Sequence, residues 1–255
     1  MLRPLFASLF LACLSFPALS AALWFSDEHT LYHIDSETHA RLHTLKLHEI
    51  EALSADQAGG AWVINGKKLT HLSADAATLL ALDLKALGLK EADHLAVNAF
   101  DGSLWVADEK TLLHLDASGQ ILHTVTLPEN LRQIVIALDH SVWLLGNKQL
   151  LHYSAMGIKL NDVDLKGIVK EEPKTILLDD LREYLWLTGE KALTQLDLAN
   201  LNLVRRDLKL DKKAEGLTLD PKTGTLWLAS KNQLIAYDQN GVVIKTFTVE
   251  ALNLK

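Results

Sequence analysis

Histidine is the residue type in this chain best suited to chemistry. There are 11 in 255 residues, and His29, His33, His39, His43 and His48 crowd together near the start. Imidazoles at that density suit a metal site. Their spacing argues otherwise: His33, His71, His114 and His152 are separated by 38, 43 and 38 residues, and Gln195 and Ala236 continue the series. His43 and His123 share a second recurring position with Leu80, Asn161, Arg206 and Lys245. Residues that recur once per repeat occupy separate places in space, so these histidines are repeat positions and do not converge on one ion. Gly-x-Ser-x-Gly, His-Glu-x-x-His, Cys-x-x-Cys and a phosphate-cradling glycine loop are all absent from the sequence.

One further aligned position carries charge in every copy: Glu51, Asp93, Arg132, Lys174, Glu215 and Glu250. Four acids and two bases at equivalent places would form a mixed-charge ring, able to orient a polar ligand.

The elements that position these residues are read from the tryptophans. They stand at 24, 62, 105, 143, 186 and 227, each in a short apolar run such as Leu104-Trp105-Val106-Ala107 or Leu226-Trp227-Leu228-Ala229. Runs of this length are strands. After each comes a polar turn, then a third strand (LYHID from 31, LTHLS from 69, LLHLD from 112, LLHYS from 150, LTQLD from 193, LIAYD from 234). A fourth follows (LHTLKL from 42, LLALDL from 79, LHTVTL from 122, LNDVDL from 160, RRDLKL from 205, IKTFTV from 244). Several fourth strands alternate polar with apolar, as half-buried strands do. Before five of the tryptophans lies another strand: ALSAD from 52, LAVNAFDG from 95, IVIALD from 134, TILLDD from 175 and GLTLDP from 216.

Six four-stranded units at a period near 40 specify an all-β, six-bladed β-propeller of antiparallel blades. The first blade lacks its inner strand, and the tail Glu250-Ala251-Leu252-Asn253-Leu254-Lys255 aligns with Glu51-Ala52-Leu53-Ser54-Ala55-Asp56. The expectation is that this tail closes the ring on blade one and removes an open edge.

Residues 1–21 carry Arg3, an apolar run from Leu5 to Phe16, and the small residues Ala18, Ser20 and Ala21. That is the layout of a secretory signal peptide, with an apolar core too short to span a bilayer. The expected organisation is therefore a signal peptide over 1–21 and one propeller domain over 22–255, exported to the periplasm or the extracellular space. Cys13, the only cysteine, lies in the leader, and Phe10-Leu11-Ala12 before it suit lipid attachment poorly, so the mature chain is expected to hold neither thiol nor disulfide. Loss of Arg3 takes the net charge from −7 to −8. An acidic protein without a basic block is not a nucleic-acid binder.

The run EGLTLDPKTGTLWLASKNQLIAY, Glu215 to Tyr237, resembles repeats of NHL and gluconolactonase-like (TolB-like) propellers. NAFDGSLWVADEKTLLHLDASG, Asn98 to Gly119, is similar to those repeats and to those of bacterial sensor propellers and streptogramin lyases. The first resemblance implies a divalent cation on inner-strand residues. Glu215 stands at the matching glutamate and Asn98 at the asparagine; Asp93 is a weaker third ligand, because Asp56, Asp179 and Asp220 stand at strand ends as turn residues. The lyase resemblance implies a channel-mouth histidine, for which His94 alone begins an inner strand.

The functional expectation is a non-catalytic binding or scaffolding module that needs no cofactor and recognises a protein or small ligand at one face or in the central channel. The longest connections, Lys85–Asp93, Lys166–Lys174 and Lys209–Glu215, would form its recognition surface. The alternatives are a metal-dependent hydrolase using Glu215, Asn98 and Asp93, and the front propeller of a larger surface or toxin-like repeat protein.

Overall fold

The computed structural model describes residues 22–35, 38, 40–209, 216–220, 223–230, 233–238 and 240–248. The strands fall into six antiparallel sheets in chain order. Blade one holds β1 (Ala22–Ser26), β2 (Thr30–Asp35) and β3 (Arg41–Lys46). Blade two holds β4 (Ile50–Ala55), β5 (Ala61–Asn65), β6 (Lys68–Leu72) and β7 (Thr78–Asp83). Blade three holds β8 (His94–Val97), β9 (Leu104–Ala107), β10 (Thr111–Leu115) and β11 (Ile121–Thr126). Blade four holds β12 (Leu131–Ile136), β13 (Val142–Gly146), β14 (Gln149–Tyr153) and β15 (Lys159–Asp164). Blade five holds β16 (Thr175–Asp179), β17 (Tyr184–Thr188), β18 (Ala192–Asp197) and β19 (Leu203–Lys209). Blade six holds β20 (Gly216–Asp220), β21 (Thr225–Ser230), β22 (Gln233–Tyr237) and β23 (Val243–Thr248). The protein is a six-bladed β-propeller. The inner strands β4, β8, β12, β16 and β20 touch one another in that order, and β1 touches β4. The leader over 1–21 and the tail over 250–255, with the closure expected of it, lie outside the described residues.

The core lies between blades, where each tryptophan sheet packs on its neighbour. Trp62 joins Leu104, Val106 and Leu113 of blade three; Trp105 joins Val142, Leu144 and Tyr153 of blade four; Trp186 joins Leu226, Leu228 and Tyr237 of blade six. Repetition of the same apolar runs at a fixed spacing lets each sheet present the same side chains to the next, and this is why the tryptophan period reads out the architecture.

Antiparallel order fixes two faces. The turns from inner to second strand and from third to fourth strand emerge on one end, called here the turn face. The second-to-third turns and the inter-blade connections emerge on the other, the connection face. On the turn face, in blades three, four and six, an Asp or Ser opening the third-to-fourth turn accepts backbone N–H groups two and four residues on: Asp116 from Ser118 and Gln120, Ser154 from Met156 and Ile158, Asp238 from Asn240 and Val242. On the connection face, Asp27 and Asp108 hold the second-to-third turns by accepting the N–H groups two and three residues on. In blades four and five a glycine stands at that place, Gly146 and Gly189. Glu129 and Glu171 reach over from the preceding connection to accept Lys148, Gln149 and Lys191 N–H instead. A side chain at either glycine would collide with the visiting carboxylate.

The first two long connections, 85–93 and 166–174, are on the connection face and are packed down, while 210–215 of the third lies outside the described residues. Leu84, Leu89 and Ala92 of the first are buried in the core of blades two and three, and Ile168 and Val169 of the second pack against that of blades four and five.

Gly60 shows how tightly the turn face is built. Its N–H donates to Asp56, and a methyl group on its Cα would overlap the carbonyl oxygen of Leu72 and crowd Asp56. The obstacle is backbone and does not yield, so Gly60→Ala is expected to cost about 1–3 kcal/mol in denaturant unfolding.

Candidate functional site

The charged position of the inner strands is a single register position. Ser54, Ala96, Val135 and Leu177 lie directly across from Trp62, Trp105, Trp143 and Trp186, and Glu51, Asp93, Arg132 and Lys174 each lie three residues earlier, at the connection face. Glu215 and Glu250 fall outside the described residues. Glu51 and Arg132 occupy irregularities where the register shifts. The two bases are already matched locally: Arg132 pairs with Glu172, and Lys174 Nζ is 2.6 Å from Glu190. His94, proposed on resemblance as a channel-mouth group, bonds through Nε2 to the carbonyl of Leu131 at 3.0 Å and so ties β8 to β12. Asp93 and Asn98 bracket β8 at opposite ends, roughly 16 Å apart along an extended chain. These two stand too far apart to share one ion, and Glu215, the glutamate of that set, lies outside the described residues. Asn98 is buried and spent on the turn: its amide contacts His140 Nδ1 at 2.8 Å and its carbonyl accepts the N–H of Phe100. Among the described residues no three His, Cys, Asp or Glu side chains are grouped to hold a metal.

The recurring histidines are partners of the tryptophans. His33, His71, His114 and His152 face Trp24, Trp62, Trp105 and Trp143 across the second and third strands, with ring centroids 4.1, 4.4, 4.2 and 3.9 Å apart and rings nearly parallel. His43 and His123 extend two of these stacks on the fourth strand, 5.6 and 5.9 Å beyond. His71 is anchored by Asp56 at 2.7 Å. His152 Nε2 lies 2.7 Å from Ser141 Oγ, and that hydroxyl donates to Asp139. A serine bonded to a histidine is half of an acyl-transfer apparatus. Here, however, the carboxylate sits on the serine and not behind the histidine, and Ser141 is buried, so the chain of bonds holds blade four together.

The surface that stands out belongs to the turn face. Every exposed aliphatic or aromatic side chain of valine size or larger among the described residues lies at that end. Leu42, Leu79, Leu122, Leu160, Val204 and Ile244 stand at the second position of the six fourth strands, just past the turn. Met156, Ile158 and Val242 lie in third-to-fourth turns. Nearer the channel, Phe100, Leu138 and Leu181 are 49%, 44% and 66% exposed. Each stands five residues before its tryptophan, so they form an arc over blades three to five; Gln57 holds the place in blade two. In the sequence the signal is a large apolar residue next to an aspartate in each of these turns, Phe100-Asp101, Leu138-Asp139 and Asp180-Leu181.

Acids stand among these apolar groups. Asp56, Asp101, Asp139 and Asp180 lie in the inner-to-second turns, and Arg182 is engaged by Asp179 at 3.2 Å. Burial pushes the carboxyl of Asp180 up; the backbone of Leu138 opposes this, while the charges of Asp139 and Asp179 add to it. Between blades two and three an open cleft of about 480 Å³ is lined by Asp56, Trp62 and His71 on one side and by Phe100, Asp101 and Gly102 on the other.

No family model and no curated protein matches the chain. Solved structures do. The chain is similar to a protein of unknown function from Bacteroides caccae, with 16% identity, TM-score 0.62, and 87% of this chain and 90% of that one covered. It is also similar to the WD40 domain of Pan2 from Neurospora crassa, with 9% identity, TM-score 0.71, and 88% and 74% covered. At these identities the likeness is one of fold, and the fold is the β-propeller.

Proposed function

We propose that this chain is an exported, non-catalytic propeller that binds a protein partner through its turn face. The observation that carries the reading is the segregation of exposed apolar side chains: all of them lie at one end of the ring, and the connection face, where the long connections run, has none among the described residues. Contiguous exposed apolar surface on a folded domain marks an interaction site, and phenylalanine and methionine are residue types that interface cores favour. Export rests on the leader over 1–21. It is tested by N-terminal sequencing of the mature protein, expected to begin at Ala22.

Binding is tested by placing a photo-crosslinking side chain at Leu138 on the turn face or at Glu109 on the connection face of otherwise intact protein in its native cells. The expected result is discrete cross-linked species from Leu138 that vanish when Phe100 and Leu181 are also changed to serine, with the melting temperature unmoved. Equal cross-linking from both positions would overturn the reading.

A further inference from the structure

We propose that the partner presents an extended segment alternating apolar and basic residues, and that the cleft between blades two and three receives one of its lysine or arginine side chains. This rests on the turn face being the binding face and specifies what it recognises. The apolar arc Phe100, Leu138 and Leu181 repeats once per blade, so a segment lying along it meets one apolar contact per blade, with acids in between. At the end of the arc the cleft offers a cation what it needs. Phe100 supplies an exposed aromatic surface beside two carboxylates, an arrangement that attracts a guanidinium or ammonium group. Asp56 is oriented by the N–H of Gly60 at 2.8 Å and by His71 at 2.7 Å. Asp101 accepts the N–H of Ser103 at 2.9 Å, lies 3.7 Å from His140, and remains about half exposed. Burial raises the carboxyl of Asp101, but Ser103 and His140 outweigh it and hold the group below the usual carboxylate range, so it is charged at neutral pH.

Charge complementarity selects the occupant. An acidic segment would meet Asp101, Asp139 and Asp180 in turn, where burial already raises the carboxyl of Asp180 and the charges of Asp139 and Asp179 add to it. A second copy of the chain, acidic overall, would bring like charge to the same place.

The test uses the mature protein and three short fluorescein-labelled peptides, alternating leucine with arginine, leucine with glutamate, and serine with arginine. The leucine–arginine peptide is expected to bind at least about tenfold more tightly than either other peptide and to weaken with salt. Asp101→Asn retains the acceptor for Ser103 and is expected to reduce that binding by about tenfold while the protein stays folded at the assay temperature. If leucine–glutamate binds as well as leucine–arginine, the basic partner is refuted, while turn-face cross-linking at Leu138 would still stand. If serine–arginine binds as well, charge alone suffices and the apolar arc is not used. If no peptide binds, the inference is overturned, and the cross-linking pattern decides the wider proposal separately.

Discussion

Trp105→Ala lowers the unfolding free energy of this propeller by about 3–5 kcal/mol, measured by urea unfolding. The indole is 1% exposed and packs between blades three and four among Val142, Leu144 and Tyr153. It also covers one face of His114, whose other side is stacked by His123. Truncation therefore leaves a void at the blade junction and opens a buried imidazole. Neighbouring strands are hydrogen-bonded on both sides and relax little into such a gap. Trp227→Ala is the internal comparison. That residue is only partly buried, faces Ala236 instead of a histidine, and has Phe247 at 6.1 Å, so its loss is expected to be clearly smaller. Equal losses at the two positions would mean that the tryptophan–histidine stacks contribute nothing beyond the repeat itself.

The same pairing explains how far the sequence could be read. A blade repeats because each sheet must offer its neighbour the same apolar face. Trp62, Trp105, Trp143 and Trp186 therefore recur in register, and so do the residues opposite them. That is why aligning the copies placed Glu51, Asp93, Arg132 and Lys174 at one structural position, and why the histidines read correctly as repeat positions. What the period does not encode is compensation between positions. Glu129 substitutes for the turn aspartate that Gly146 cannot supply, a relation between residues seventeen apart that no single-position comparison exposes. Nor does it encode surface role. Phe100, Leu138 and Leu181 break no repeat rule; they are informative only because nothing covers them, which needs the third dimension. For the same reason Asn98 matched a metal-binding asparagine in type, yet the fold uses it to hold Phe100 and His140.

The buried imidazoles also set the response of the fold to acid. Burial lowers the pKa of His33, His114 and His152 from the ordinary value of 6.5. His43 and His123 add to the effect at the first two, while Asp75, Asp101 and Asp139 work against it at His33, His114 and His152 respectively. No ring nitrogen of His33 or His114 makes a hydrogen bond of normal geometry among the described residues. Protonation would thus place a cation in a buried site where burial outweighs what supports it, the charge of Asp75 at His33 and the backbone of Ala155 with the charge of Asp101 at His114. The sign follows from proton counting. Below 6.5 the unfolded chain takes up protons that the folded chain does not, so the unfolded state gains and stability is lost as pH falls from 6.5 toward the depressed values; above 6.5 it is fully present. Asp27, Asp101, Asp116 and Asp139, all lowered, act in the same sense but only as the pH falls through and below the usual carboxylate range, while Asp180, raised, takes up its proton in the folded chain above that range and there works against the loss. Lowering the pH from about 7.5 to about 5 is therefore expected to depress the melting temperature by several degrees through the buried histidines. Glutamine already faces a tryptophan in blade five, where buried Gln195 stands opposite Trp186. The double variant His33→Gln, His114→Gln fills the same space without titrating, and its melting temperature should fall distinctly less over that interval. A wild-type curve that is flat from pH 7.5 to 5 would show that the stacks admit protons freely, and that they are not the sealed blade junctions their burial describes.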